Sequence, residues 1–490
     1  MTLTLSILAW ALPLGGAIVP WAGARARGTA AATAAGGAGS LAAAIALAVR
    51  IVSGHPLKLL GGFIYVDSLS AFFVATVALV VTLAGLGSYA YLRAEEERGE
   101  LSALQVRLYG TFFALFASLM LAALQTGNLG LLWVLVEAST LASAVLVALE
   151  ARATSLEAAW KYIIISSFGV TIALVGTLFV YYSAILVHVS PDQRLTWPTL
   201  FAHASVLQAP SLRLAFLLVL VGYGTKVGLA PMHTWLPDAH SEAPSPASAM
   251  LSAALLNTGM YAIIRFQALT TPQLGRYANN VLLIFGFASL LVGALFMIGC
   301  GNFKRLFAYS SIEHMGIIAV ALGFGGVLGF YGALLQTLTH AIGKSVLFLS
   351  GGEVVLRYRT RNASEVRGLL PLVPVTGLAL LLGSLAILGS PPFGVFLSEF
   401  TIVRASFASQ ASWLGFFLLA LLVIAFVAFS GTTVSMVFGT RPRGTASLSA
   451  LPRRVGAVPL VAGLGLLLLL GLWIPGGLNE LIMHAIKAMA

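Results

Sequence analysis

A single cysteine, Cys300, stands in 490 residues, and only 9% of the chain is charged. One thiol excludes an intrachain disulfide, a CxxC metal site and an iron–sulfur cluster built by this chain alone. Cys300 therefore reads as a small apolar packing residue. The scarcity of charge excludes more, because an ordinary soluble domain carries roughly 25% charged residues. Here 59% of residues are hydrophobic and the mean hydropathy is +0.97; no water-soluble core of this length could hide so much apolar sequence. Acids number 16 against 27 lysines and arginines, a formal charge of +11. That excess is not a nucleic-acid footprint, since no basic stretch is interleaved with aromatics. It fits a polytopic membrane protein whose basic residues collect in cytoplasmic loops. No P-loop, GxGxxG fingerprint or haem signature is found; the glycines of Gly323 to Gly326 and of Gly351 and Gly352 follow apolar helix with no strand before them.

What is present is a succession of apolar runs of about twenty residues, the length that spans a ~30 Å hydrocarbon layer at ~1.5 Å per residue. They lie near 3–22, 29–52, 66–92, 108–126, 128–149, 161–186, 213–231, 245–268, 278–300, 310–326, 328–356, 370–392, 412–439 and 455–474. The expected fold is an all-α polytopic membrane protein of about fourteen helices, one domain over residues 1–490. No basic region precedes the apolar start, so a first span is expected there rather than a cleaved signal. Counted in order, the odd loops hold Arg25 and Arg27, Arg93 and Arg98, Arg152, Lys304 and Arg305, Arg357 to Arg367, and Arg441 to Arg454. The even loops hold few, such as Lys58, Arg194 and Arg276. The positive-inside rule puts the odd loops in the cytoplasm and both termini outside.

Two runs carry helix breakers: the glycines from Gly222 to Gly228 with Pro231 in the seventh, and Gly389, Pro391, Pro392 and Gly394 in the twelfth. Proline removes a backbone hydrogen bond, and unsatisfied backbone is tolerated only beside protein or a water-filled cavity. The breaks lie five spans apart, an odd number, so equivalent halves would have opposite topology. This is the layout of two inverted repeats, here 108–268 and 278–439, with a transport site at the broken helices.

Ionisable residues inside the spans sharpen that expectation, because a charge at a helix centre costs about 2.5–3.5 kcal/mol on insertion scales. Glu137 lies near the middle of the fifth run and Lys226 beside the glycines of the seventh, natural partners. A lysine balanced between a nearby carboxylate and desolvation can release and regain a proton at modest driving force. His340 and Lys344, spaced i,i+4, stack on one helix face as a short relay. Glu399, just past the second break, is the carboxylate that would receive or discharge the proton. Lys161, near a helix start, either joins the relay or snorkels to the interface. Asp67 reads as a helix cap. His233, Asp238, His240 and Glu242 lack the HExxH spacing of a metal site, which favours gating or structural roles.

The segment Lys226 to Pro246 (KVGLAPMHTWLPDAHSEAPSP) resembles the signature of the antiporter-like membrane subunits of respiratory complex I, Mrp-type cation/proton antiporters and membrane-bound NiFe hydrogenases. WVLVE ending at Glu137, KRLFAYSS from Lys304 and TLTHAIGK ending at Lys344 are similar too, and the resemblance covers roughly residues 60 to 405. SLEAAWKY from Ser155 and LLNTGMYAIIR ending at Arg265 resemble the hydrogenase-4 component F branch, as does the lack of a long lateral helix after the fourteenth span. The resemblance implies fourteen helices in two inverted five-helix repeats, a Glu137–Lys226 pair, a central relay and a terminal acid at Glu399. Asn257 departs from it, standing where some complex I homologues have a central lysine; an amide holds water but carries no proton, leaving the central relay to His340 and Lys344.

The expected function is proton translocation within a redox-driven complex of a prokaryotic inner membrane. NiFe and iron–sulfur centres would sit on partner subunits, with no cofactor in this chain. The alternatives are a Na⁺/H⁺ antiporter module and a membrane partner that energises inorganic-carbon uptake. An enzyme with its own active site is disfavoured, as no nucleophile–base constellation is visible. A topology reporter fused near Arg359 should read cytoplasmic and one fused after Ala490 external; opposite readings at both would overturn the span order or its orientation.

Overall fold

The computed structural model describes residues 1–23, 25–409, 412–440 and 456–489, and they are predominantly helical. The expected loop from Arg441 to Arg454 and the terminal Ala490 lie outside the described residues. The helices that position the site are α1 (Thr2–Ala22), α2 (Ala26–Val52), α3 (Ser68–Glu97), α4 (Ala103–Ala123), α5 (Leu129–Val147) and α6 (Ala153–Leu186). There follow α7 (Ala209–Val227), α8 (Leu236–Glu242), α9 (Ser245–Leu274), α10 (Tyr277–Met297), α11 (Phe303–Phe324) and α12 (Gly326–Tyr358). The last five are α13 (Pro374–Ile387), α14 (Gly394–Ala408), α15 (Ser412–Phe438), α16 (Ala457–Leu472) and α17 (Gly476–Lys487). A hairpin of β1 (Leu57–Leu59) and β2 (Ile64–Val66), paired antiparallel, covers the start of α3.

Among the described residues, eleven helices are long and apolar enough to cross a membrane, or twelve if α16 and α17, bent by 75°, form one crossing. The expected count of about fourteen differs at three places, each for a physical reason. Helix α12 is 33 residues long, but Gln336, His340, Lys344 and Glu353 make it too polar to face lipid, and it is buried instead. The run near 370–392 yields only the 14-residue α13 before the chain breaks. The last run yields a 16-residue α16 that turns at Trp473 into α17, a helix the sequence reading did not anticipate.

Both anticipated breaks are present. Helix α7 ends on Gly228 in the left-handed region (φ 78°), and the chain regains helix only at Leu236. Helix α13 ends before Gly389 (φ 65°), and helix resumes at Gly394. A third irregularity was not anticipated: Leu251–Leu255 inside α9 is a π-turn, of the kind that inserts one extra residue into a helix and recurs at functional sites.

Small residues set the helix spacing. A Cβ at Gly176 of α6 would lie 2.8 Å from the Ala215 carbonyl of α7, and one at Gly316 of α11 would lie 2.7 Å from the Gly286 carbonyl of α10. Such close backbone approach supplies packing energy where lipid offers no hydrophobic drive between helices. Helix α9 is buried over residues 245–270 between α7, α12 and α3, whereas α15 leaves most of its residues unburied, as a lipid-facing helix should.

Asp67 caps α3 as expected, its Oδ1 accepting from the Ser70 amide at 2.9 Å. It also forms a pair the sequence did not announce: Arg265 of α9 donates to both carboxylate oxygens, at 2.7 and 2.6 Å. The guanidinium lies 5.0 Å from the Tyr261 ring and 5.2 Å from that of Trp197. Burial alone would raise the Asp67 carboxyl, but the Arg265 charge and hydrogen bonds hold it below its ordinary value. A depressed carboxyl contributes stability that is fully present above its unfolded value, ~3.9, and is lost as pH falls through the folded value. The melting temperature of the solubilised protein should therefore drop below about pH 4, and Asp67→Asn should flatten that dependence while costing ~3–5 kcal/mol by stranding Arg265. An unchanged melting temperature in the variant would remove this pair from the list of stabilising contacts.

Candidate functional site

Lys226 occupies the last turn of α7, fully buried. Its Nζ donates to Thr140 Oγ1 at 2.5 Å and to the Tyr162 hydroxyl at 2.9 Å, and lies 4.9 Å from the Tyr162 ring centroid. Glu137 is one turn from Thr140 on α5, and no ion pair within 4 Å joins it to Lys226 among the described residues. Instead the one proton of the Thr140 hydroxyl is shared between Val136 O at 3.3 Å and Glu137 Oε2 at 3.5 Å, and Ser167 of α6 donates to Oε1 at 2.5 Å. The expected pair is thus a pair in field rather than in contact, joined by a hydroxyl. Tyr162 continues the polar line to Ser143, 2.7 Å away.

The centre is built on α9, α11 and α12. Asn257 is buried, its amide donating to Ala253 O at 2.8 Å and to Thr337 O at 3.4 Å, with its own oxygen unpartnered. His340 and Lys344 are fully buried on one face of α12. The Lys344 Nζ donates to Phe307 O at 3.0 Å and, by a shorter bond, to Ser310 Oγ. His340 Nε2 lies 3.4 Å from the Ser252 carbonyl in the π-turn, and its Nδ1 is unpartnered.

Two residues of α11 that the sequence reading passed over join them. His314 lies 5.1 Å from His340 between ring centroids, and its Nδ1 is 2.7 Å from Gln336 Nε2. Glu313 is buried with an unpartnered Oε2, and it is the carboxylate whose field reaches Lys344. Both met the same test that flagged Glu137, an ionisable side chain inside an apolar run, within SSIEHMGIIAV. Gln336, one turn before His340, accepts from Ser398 of α14 and hydrogen-bonds Glu399. Glu399 thus lies at the end of a line running His340, His314, Gln336, Glu399.

The remaining expected residues frame this line. Pro231, Pro391 and Pro392 are exposed in the two breaks. His240 is buried on α8 between Trp235 and Phe348, ring centroids 5.9 and 5.7 Å away, with Nε2 unpartnered. His233 packs edge-on to Phe296. Lys161 is half-exposed and paired to Glu157 at 2.7 Å and Asp238 at 3.2 Å, and Asp238 also pairs with Arg305. It sits on the rim, outside the buried line. No group of three or more His, Cys, Asp or Glu able to hold a metal occurs among the described residues. Cys300 has a free thiol, Sγ 3.5 Å from Asn302 O.

A bundle of apolar helices with two interruptions, threaded by lysines, histidines and glutamates linked through hydroxyls and amides, defines a polytopic membrane protein built to pass protons or cations. Residues 126–425 match the family described as NADH:quinone oxidoreductase/Mrp antiporter, transmembrane, and the chain belongs to that family. It is 38% identical over 425 residues to the hydrogenase-4 component F homolog of Methylacidiphilum infernorum, covering 86% of this chain and 88% of that one. A chain of the archaeal membrane-bound sulfane sulfur reductase superposes with TM-score 0.86 at 24% identity, over 99% of this chain and 97% of that one. A chain of respiratory complex I from Thermus thermophilus superposes with TM-score 0.81 at 25% identity, over 99% and 100% respectively. The chain is a proton-translocating, antiporter-like membrane subunit of the type found in redox-driven complexes.

Thr140→Val deletes the hydroxyl between Lys226 and Glu137 with little change of shape. A hydrogen bond to a charged group is worth ~1.5–3 kcal/mol, so proton transport by the assembled complex in membrane vesicles should fall about tenfold or more. Parental transport by that variant would show that the pair works without its bridge.

Proposed function

We propose that the chain moves protons along the buried line from Lys226 through the Asn257 region to Lys344 and His340, and on by His314 to Glu399, with the Gln336 amide between them orienting a water and carrying no proton itself. The observation that supports this most is the way the buried amines are held. Lys226 and Lys344 donate to hydroxyl and carbonyl oxygens, while Glu137 and Glu313 act on them from beyond ion-pair distance. An amine so placed can exist in either protonation state without breaking a salt bridge, which a carrier requires. Glu137 favours the protonated form of Lys226 and desolvation the neutral form, so a modest change in the field of the carboxylate moves the proton. Asn257, with a free oxygen, would hold a water between the two lysines.

In this reading the bundle makes fourteen crossings, residues 108–268 and 278–439 form two inverted five-helix repeats, and each repeat contributes one broken helix and one Glu–Lys couple. Both termini face outside and the arginine-rich loops face the cytoplasm of a prokaryotic inner membrane. The driving force comes from a hydrogenase- or complex I-like assembly whose NiFe and iron–sulfur centres lie on other chains; this chain binds none. A Na⁺/H⁺ antiporter module is the second reading, supported by the family description, which names Mrp antiporters as well.

The test is Lys226→Arg. A guanidinium keeps the charge and the donors but does not deprotonate in a protein, so the variant should assemble to parental abundance and lose coupled proton transport. Lys226→Ala should lose it as well, and Glu137→Gln should reduce it. If Lys226→Arg assembles normally and transports at the parental rate, Lys226 is not a proton carrier.

A further inference from the structure

The arginine-rich ends of the helices enclose a cavity of about 410 Å³, bounded by α3, α12 and the starts of α9 and α11. Glu95, Glu150, Arg152, Lys304, Arg359 and Arg361 all line it. Its arginines are satisfied by carboxylates: Arg152 with Glu150 at 3.1 Å, Arg361 with Glu242 at 2.6 Å and Glu150 at 3.7 Å, and Arg359 with Glu95 at 3.8 Å. Lys304 is different. By sequence it is a loop charge that sets topology, and such a charge belongs in water or among headgroups. Here it is buried in the first turn of α11, its Nζ donating to the Ala243 carbonyl at 2.7 Å, with no carboxylate within 4 Å among the described residues.

Ala243 closes α8, the helix that carries His240. The buried His240 ring feels the charges of both Lys304 and Lys344, and its Nε2 is unpartnered. Lys304 lies in the field of Arg361, Glu150 and Glu242, of which Arg361 and Glu150 line the cavity, and its own charge acts on His240 of α8. It has the same setting as Lys226 and Lys344: a desolvated amine on a neutral oxygen, with carboxylates acting from a distance.

We infer that this cavity is the water-filled uptake chamber of the pump and that Lys304 is its inner proton acceptor, passing protons by way of His240 to Lys344. The inference rests on the proton-translocation reading above and adds the route by which protons reach the line. Lys304 accepts a proton as the neutral amine, on its nitrogen lone pair, and is restored to that form when the ammonium gives a proton up on the inner side.

The test uses the assembled complex in membrane vesicles with the arginine-rich face accessible. In a Cys300→Ser background, Thr360→Cys at the cavity wall should react with a bulky membrane-impermeant maleimide, and proton transport should then fall tenfold or more. The cysteine-free parent should be indifferent to the reagent. Lys304→Met and Lys304→Arg, at parental abundance, should each lose transport to the same extent. Failure of the label to attach, labelled Thr360→Cys at parental rate, or assembled Lys304→Arg within twofold of the parent would each overturn the inference. Should a Lys304 variant fail to assemble, the labelling result decides. Lys226→Arg in the same membranes separates the two levels: if it too transports at the parental rate, the proton-carrier reading has failed as well, and if it alone is inactive, only the uptake route has.

Discussion

Burying an ammonium in an apolar bundle strips it of water, and the helix contacts around this protein's core are arranged about how that loss is met. Lys226 has Thr140 and Tyr162, Lys344 has Phe307 O and Ser310, and Lys304 has Ala243 O. In each case the nearest partner is a neutral oxygen. Arg265 is met differently, by a bidentate carboxylate at hydrogen-bond distance. The contrast separates two uses of buried charge: a pair in contact fixes both charges and ties α3 to α9, whereas an amine on a hydroxyl keeps its proton negotiable.

The backbone serves the same arrangement. Gly176 and Gly316 let α6 approach α7 and α10 approach α11, so that residues on thin-walled neighbours reach a common line. The interruptions after Gly228 and around Gly389 leave carbonyls and amides without helical partners beside that line, where polar side chains and water can satisfy them. The polar residues are concentrated on α12, which is why it is buried although its length alone would permit it to face lipid.

Composition and run length made the membrane class legible, because no soluble core uses so much apolar sequence. Proline and glycine placed both helix breaks within a few residues, since their backbone restrictions are local. Buried charges at Glu137, Lys226, His340 and Lys344 stood out for the same reason: their cost is a property of the residue and its run. The omissions follow from what is not local. Glu313 and His314 carry the same signal within their own run, but their meeting with Lys344 and His340 of α12 is made by packing and leaves no mark along the chain. The Asp67–Arg265 pair joins positions 198 apart, and no pattern along the chain announces it. Lys304 reads as a loop charge in the sequence because it stands beside Arg305 between two apolar runs; only the packing of α8 and α12 against α11 shows that it is buried.

The π-turn at Leu251–Leu255 bears on how such a line is kept continuous. In α geometry two residues five apart point about 140° away from each other, which would put Ser252 and Asn257 on nearly opposite sides of α9. Closing the ring at i→i+5 turns positions five apart toward one face. Ser252 accordingly meets His340 and Ser311 while Asn257, in the same helix, meets Thr337. The extra residue therefore acts as a phase correction: losing one residue within this turn would leave hydropathy, length and charge almost unchanged, yet rotate one half of α9 against the other and place its two polar stations out of register.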